Sequence, residues 1–255
     1  MNIIKAKDNI NSVNSDFSIG AKVSLDKFIE YYGFNSDHYG DINDDGEVID
    51  FIKPYKKNID KHMDSVLSYA PIDYDKKNGL LNTAIGNMMA DVTLNLSNPI
   101  YKARTNKNID FVLLNHGGIR SMISKGDITL RTAYKVMPFE NSVVVCELNG
   151  EDVYELINYL TLNKKAHPIS GINIVLDKNY NLMEAKINGK RIEKNKIYSV
   201  ATSDYLLNGG DKMTFFSKSK KNTTLDYKIR NVLIDYFKEV DTVAFKIDNR
   251  FVIQN

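Results

Sequence analysis

An α+β fold, with a mixed β-sheet and flanking helices, is predicted by two patterns along the chain. Between about residues 47 and 95, apolar side chains recur at helical spacing. From residue 109 onward, short apolar runs alternate with Gly-containing turns and further helical segments. The 255 residues, 43% hydrophobic and 26% charged, are enough for one large domain with an ordinary globular composition.

The elements follow in order. Residues 1–45 are polar and weakly patterned, and read as an N-terminal extension. One short helix is expected there, capped by Ser24, with Leu25, Phe28, Ile29 and Tyr32 on one face and Gly33 as its stop. A long helix over about 47–69 follows. Asp44 and Glu47 have capping-box spacing, and Val48, Phe51, Ile52, Tyr55, Ile59, Met63, Val66 and Leu67 form its stripe. Pro54 falls near its first turns, where a missing N–H costs least. After the Asn78-Gly79 turn, a second helix covers about 82–95. Strands are expected at 111–114, 143–148, 172–176, 182–187, 198–202 and 243–247, with Asn188-Gly189 as a hairpin turn. Helices complete the set at about 151–160 and 225–238.

Several function classes are disfavoured. The net charge is +2, so no global field draws nucleic acid or an anionic membrane. Lys218, Lys220 and Lys221 read as a solvated loop. No stretch reaches the ~20 apolar residues of a membrane span. Met1-Asn2-Ile3-Ile4-Lys5 leads into polar residues with no secretory apolar segment, so the chain is either cytoplasmic or a mature form. The single Cys146 excludes an internal disulfide and, flanked by valines, reads as a small buried hydrophobe. Asp41-Ile42-Asn43-Asp44-Asp45-Gly46 imitates the start of a calcium loop, but Ile52 stands where the bidentate carboxylate belongs, so a solvated helix start is preferred. His38, His62, His116 and His167 form no metal-binding pair, and no P-loop or nucleophile elbow is present. Neither a catalytic residue nor a metal site is assigned to this chain.

Three segments carry candidate chemistry. Asn115-His116-Gly117-Gly118-Ile119-Arg120 follows a predicted buried strand, where open sheets place ligands. Its glycines let backbone approach a ligand, and Arg120 offers a planar fork of donors; a tight turn with a surface Arg is the alternative. In Pro138-Phe139-Glu140-Asn141, the Phe139 ring can stack on a base and the Asn141 amide can read its edge; a Phe tucked into the core is the alternative. In the segment from Thr202 to Asp211, Tyr205 supplies a second stacking face, and Asp211, presented by Gly209-Gly210, can accept from vicinal hydroxyls; a polar turn is the alternative. Two aromatic faces, an amide, a carboxylate and an Arg suit a nucleoside.

These motifs, with Gly126-Asp127-Ile128-Thr129 after the first and Gly86-Asn87 with Ala90-Asp91 before it, resemble the 5′-nucleotidase C-terminal domain over about residues 47–253. The family includes periplasmic UDP-sugar hydrolase and ecto-5′-nucleotidase. The resemblance implies that Phe139 and Tyr205 are the stacking pair. It places Asn115 and Asn141 on the base or sugar, Arg120 on ribose or phosphate, and Asp211 on the ribose hydroxyls, with Gly117, Gly118 and Gly210 completing the substrate-binding set. Two departures stand out. Residues 73–78 lack the family's additional arginines, so phosphate contact is either weaker or made by Lys76 or Lys77, and Tyr205 replaces the usual Phe.

In the family, hydrolysis belongs to a calcineurin-like metallophosphoesterase domain holding two metal ions. The expectation is therefore a substrate-binding domain over residues 46–255, with no cofactor of its own, a nucleotide or nucleoside as ligand, and a divalent metal pair in a separate partner domain or protein. A split two-part enzyme is preferred over a fragment, because the chain starts with Met and carries its own extension. A non-catalytic scavenging or sensing module is the alternative function. By resemblance the location is periplasmic or cell-surface, with cytoplasmic as the alternative.

Overall fold

The computed structural model describes residues 46–254, with side chains from residue 53 onward. The expected Ser24 helix and the calcium-like residues 41–45, with Asp44 of the expected capping box, lie outside the described residues. The chain divides between Asn58 and Ile59, and the sheets and the site all belong to the second unit.

Helix α1 (Gly46–Met63) ends six residues before the expected boundary. The chain turns there: the Asp64 amide donates to the Asp60 carbonyl at 2.9 Å, and the Ser65 hydroxyl caps the His62 carbonyl at 2.7 Å. Val66 and Leu67 continue the helical stripe only by coincidence. They open strand β1 (Val66–Ala70), which pairs antiparallel with β3 (Gly126–Thr129). Ile59, on the same stripe, is exposed.

Helix α2 (Ala84–Thr105) is capped by Thr83, whose side chain accepts from the Gly86 amide. It runs ten residues past its expected end and tolerates Pro99. Burial of Tyr101, which is 1% exposed and hydrogen-bonded to Ser199 at 3.1 Å, holds this extra length against the sheet. Asn106, with φ 59°, then stops the helix in the left-handed conformation.

The chain continues through β2 (Phe111–Leu113), β3, α3 (Leu130–Val136), β4 (Ser142–Asn149) and α4 (Gly150–Asn163). Asn149 caps α4 by accepting from the Asp152 amide. Strands β5 (Ile169–Ser170), β6 (Ile172–Leu176), β7 (Leu182–Ile187), β8 (Lys190–Arg191) and β9 (Ile197–Ser203) follow, and Asn188 and Gly189 make the β7–β8 turn with φ of 49° and 74°. The chain closes with α5 (Asp204–Leu207), β10 (Asn222–Lys228), α6 (Ile229–Glu239) and β11 (Phe251–Ile253).

Among the described residues two sheets of more than two strands form. The larger has the order β10-β4-β9-β2-β5, antiparallel except for the β9–β2 pair; the smaller, β11-β6-β7-β8, is antiparallel except for β11–β6. The mixed sheets and flanking helices are the α+β arrangement the patterning predicts.

Strand β4 shows why its sequence is an unbroken apolar run. Val143 and Val145 enter one core cluster with α2 and α6, while Val144 and Cys146 enter another with α4. Both faces of the sheet are buried, so alternate residues need not be polar. Cys146 is a buried free thiol, its pKa pushed up to about 12 by burial.

Two expectations at the C-terminal end fail. Residues 225–228 are strand rather than helix. Thr223 and Thr224 pair with Val145 and Val144, and Leu225 is buried in the core; Asp226, with φ 55°, lies where the register shifts before α6 begins. Residues 243–247 form no strand, although Val243 is fully buried. Side-chain amides take up carbonyls along this stretch: Asn87 donates to the Lys246 carbonyl at 3.0 Å and Asn82 to the Asp248 carbonyl at 3.1 Å. The last strand comes later, as β11.

Candidate functional site

The sheet brings the three candidate segments to one end. Strands β9 and β2 are parallel, so the loops leaving their carboxyl ends emerge side by side. Strand β4 is antiparallel to β9, with Val143 opposite Ser203, so the segment entering β4 arrives at the same end. An open cleft of about 260 Å³ lies there, lined by Asn115, Gly117, Gly118, Arg120, Phe139, Asn141, Tyr205 and Asp211. Of the candidate residues only Gly210 is absent from the lining, and it sits directly beneath the Tyr205 ring.

The glycines have steric reasons. A Cβ on Gly118 would lie 2.9 Å from Asn115 Oδ1, so only Gly lets that amide fold over the 3₁₀ turn His116–Gly118. A Cβ on Gly210 would come within 2.4 Å of the Tyr205 ring. Gly209, with φ 86°, supplies the left-handed turn that reverses the chain after α5.

Asp211 is the most constrained residue of the cleft. It holds φ 52° and ψ 22°, a left-handed conformation that costs a non-Gly residue energy unless neighbours hold it. Asn115 Nδ2 donates to its Oδ2 at 2.9 Å and the Tyr205 hydroxyl donates to its Oδ1 at 3.0 Å. The Tyr205 hydroxyl thus ties the ring to the carboxylate, a link that a Phe at this position lacks.

Phe139 is 40% exposed and Tyr205 43% exposed. Neither ring is tucked into the core, and both face the same cleft. The Arg120 guanidinium lies 5.9 Å from the centre of the Phe139 ring, in cation–π range. Lys76 approaches from outside the cleft, its Nζ donating to the Ile119 carbonyl at 2.6 Å. Burial, and then the neighbouring Arg120 charge, push its pKa down.

Arg230 of α6 fixes the Phe139 loop and was not visible as a site-supporting residue in the sequence. Its side chain, 6% exposed, donates to the Pro138 and Phe139 carbonyls at 3.2 and 3.4 Å and pairs with Glu140. The Tyr134 ring stacks on its guanidinium at 4.1 Å. Lys228 and Arg230 together hold the exposed Glu140 carboxyl down at about 2. Some 90 residues separate Arg230 from this loop, so no local motif announces it.

Two histidines, His116 and His167, meet at the first candidate segment. His167 is buried, and its Nδ1 accepts from the His116 amide at 3.3 Å, which assigns the proton to Nε2. Burial pushes its pKa down to about 4. Among the described residues no group of three or more His, Cys, Asp or Glu side chains is placed to hold a metal ion, so the residues present do not fit a dinuclear hydrolytic centre. Among the same residues no helix is long and apolar enough to cross a membrane.

The family model described as 5′-nucleotidase, C-terminal domain, matches residues 68–218, more than half of the chain. The chain belongs to this family. It is 30% identical over 183 residues to the trifunctional nucleotide phosphoesterase protein YfkN of Bacillus subtilis, a match covering 66% of this chain and 12% of that protein. It is 28% identical over 170 residues to the cell wall protein Lmo0130 of Listeria monocytogenes, covering 61% of this chain and 21% of that one. The crystal structure of a 5′-nucleotidase precursor from Thermus thermophilus superposes with a TM-score of 0.67 at 22% identity, covering 80% of this chain and 42% of its own. That likeness establishes the shared fold. The chain spans less than half the length of each of these three proteins.

Proposed function

We propose that this chain is the nucleotide- or nucleoside-binding half of a 5′-nucleotidase-type phosphoester hydrolase, with hydrolysis carried by a separate metallophosphoesterase domain or subunit. One observation carries the proposal: two exposed aromatic rings, two amides, an Arg and a carboxylate line a single cleft. Two aromatic rings open to one cleft offer stacking faces to a flat heterocycle. The Arg120 guanidinium suits phosphate or ribose oxygens, and Asp211 suits vicinal hydroxyls.

The metal ions belong, in this proposal, to the partner. This is supported by the donor set of the chain, which offers no ligand cluster among the described residues, and by its matching only part of each longer relative. The name of one relative refers to nucleotide phosphoesters and that of another to the cell wall. The first supports a nucleotide substrate and the second a cell-surface location.

The test is a mixing assay. AMP and UDP-glucose hydrolysis are measured with divalent metal, for a folded metallophosphoesterase domain of this family alone and with this chain added. A gain on mixing that is lost with Phe139→Ala is the expected result. No gain, with adenosine binding by this chain still detectable, would leave a binding module without a hydrolytic role.

A further inference from the structure

We propose that Tyr159 is a positioning residue, acting from α4 to pin the backbone of Asp211 and so to aim its carboxylate at the ribose hydroxyls. The inference rests on the nucleoside-binding role proposed above and adds a residue outside the cleft.

The Tyr159 hydroxyl donates to the Asp211 carbonyl at 2.8 Å. It also accepts from Asn163 Nδ2, one helical turn further on, at 3.0 Å. Each bond polarises the next, so the relay Asn163–Tyr159–Asp211 is stronger than its parts. The Tyr159 ring is wedged between His167, at 5.8 Å between centroids, and Phe215, edge-on at 5.7 Å. The hydroxyl therefore starts from a fixed platform. Burial, then the nearby Asp211 charge, raise its pKa, so it stays a donor at ordinary pH.

Asp211 needs such an anchor. It and Lys212 hold φ of 52° and 61°, directly after Gly209 and Gly210. Among the described residues two other side chains hydrogen-bond Asp211, and both line the cleft. Asn115 reaches Oδ2, while the Tyr205 hydroxyl donates to Oδ1 and accepts from the Asp211 amide at 3.3 Å. A bound ribose competes with those contacts at the carboxylate. Tyr159 holds the carbonyl instead, away from the ligand, so its bond is available with the cleft empty or full. Among the described residues, three side chains hydrogen-bond Asp211, and of these only Tyr159 lies outside the cleft lining.

Removing this bond has a signature that a general loss of packing lacks. It misaims the hydroxyl acceptor without touching either stacking ring. The test is calorimetric titration of the full chain and of Tyr159→Phe with adenosine and with 2′,3′-dideoxyadenosine. The variant is expected to bind adenosine about three- to ten-fold more weakly, the weight of one hydrogen bond, and the dideoxynucleoside within about two-fold of the parent. Tyr154→Phe serves as control; it is a tyrosine on the same helix whose hydroxyl reaches the Ile192 carbonyl at 3.4 Å, and it should leave both affinities unchanged. Unchanged adenosine affinity in Tyr159→Phe, or an equal fall for both ligands, would overturn the positioning role alone. A parent chain that binds neither ligand would remove the nucleoside role and this inference with it.

Discussion

Phe139→Ala separates stacking from packing, because two-fifths of the side chain already faces solvent. Truncating a fully buried Phe costs about 3–5 kcal/mol of stability. Phe139 is 40% exposed and lines an open cleft, which scales the expected cost to about 2–3 kcal/mol at most. Part of that is the lost Arg120 contact, worth about 0.5–1 kcal/mol at an exposed site. On the ligand side, one lost stacking face costs roughly 1–3 kcal/mol, or about 5- to 150-fold in Kd. Phe237, fully buried in the α2–α6 core, is the matched control. Phe237→Ala should cost about 3–5 kcal/mol of stability and leave Kd unchanged in the protein that remains folded. Urea unfolding gives the stabilities and adenosine titration the affinities. If Phe139→Ala destabilises as much as Phe237→Ala and binds adenosine with the parent Kd, the ring is a packing residue and the stacking argument fails.

Two further substitutions probe the surroundings of the cleft. Gly210→Ala places a Cβ 2.4 Å from the Tyr205 ring, which must swing away; affinity for adenosine should fall by roughly 1–3 kcal/mol, as for loss of one stacking face, and an unchanged Kd would show that the ring's resting position is irrelevant. His167, ordinarily titrating near 6.5, is held down at about 4. Its stabilising contribution is complete above pH 6.5 and is lost as pH falls to about 4, because the unfolded chain takes up a proton that the folded one refuses. That loss amounts to about 3 kcal/mol. His167→Gln should flatten the decline of the unfolding midpoint between about pH 7 and pH 4, and superimposable profiles for parent and variant would contradict a buried neutral imidazole.

The chemistry-bearing residues were legible because each group lies within ten residues of chain, flanking an apolar run. Asn115 to Arg120, Phe139 to Asn141 and Tyr205 to Asp211 need only their adjoining strands to be placed. The supports were not legible. Arg230 and Tyr159 reach their partners across about 90 and 52 residues, and their own neighbourhoods look like ordinary amphipathic helix. The fold shows the same division. Strands β6 and β7 fall on residues 172–176 and 182–187, as the patterning predicts, because their ends are set by local turns. The boundary at Met63 depends on pairing with a strand some 60 residues away, and the end of α2 on the burial of Tyr101 beneath β9. Residues 225–228 follow a helical pattern into α6 and yield to strand pairing with β4.

The parallel β9–β2 pair, with β4 running against β9, has a consequence for how such a domain diversifies. All three cleft-lining segments adjoin the ladder at one rim, while the Asn188-Gly189 turn belongs to the other sheet. None of residues 115–120, 139–141 and 205–211 takes part in the strand pairing. The ladder and the rim's chemistry are thus set by different residues, so the rim can carry new chemistry on the same strand pairing.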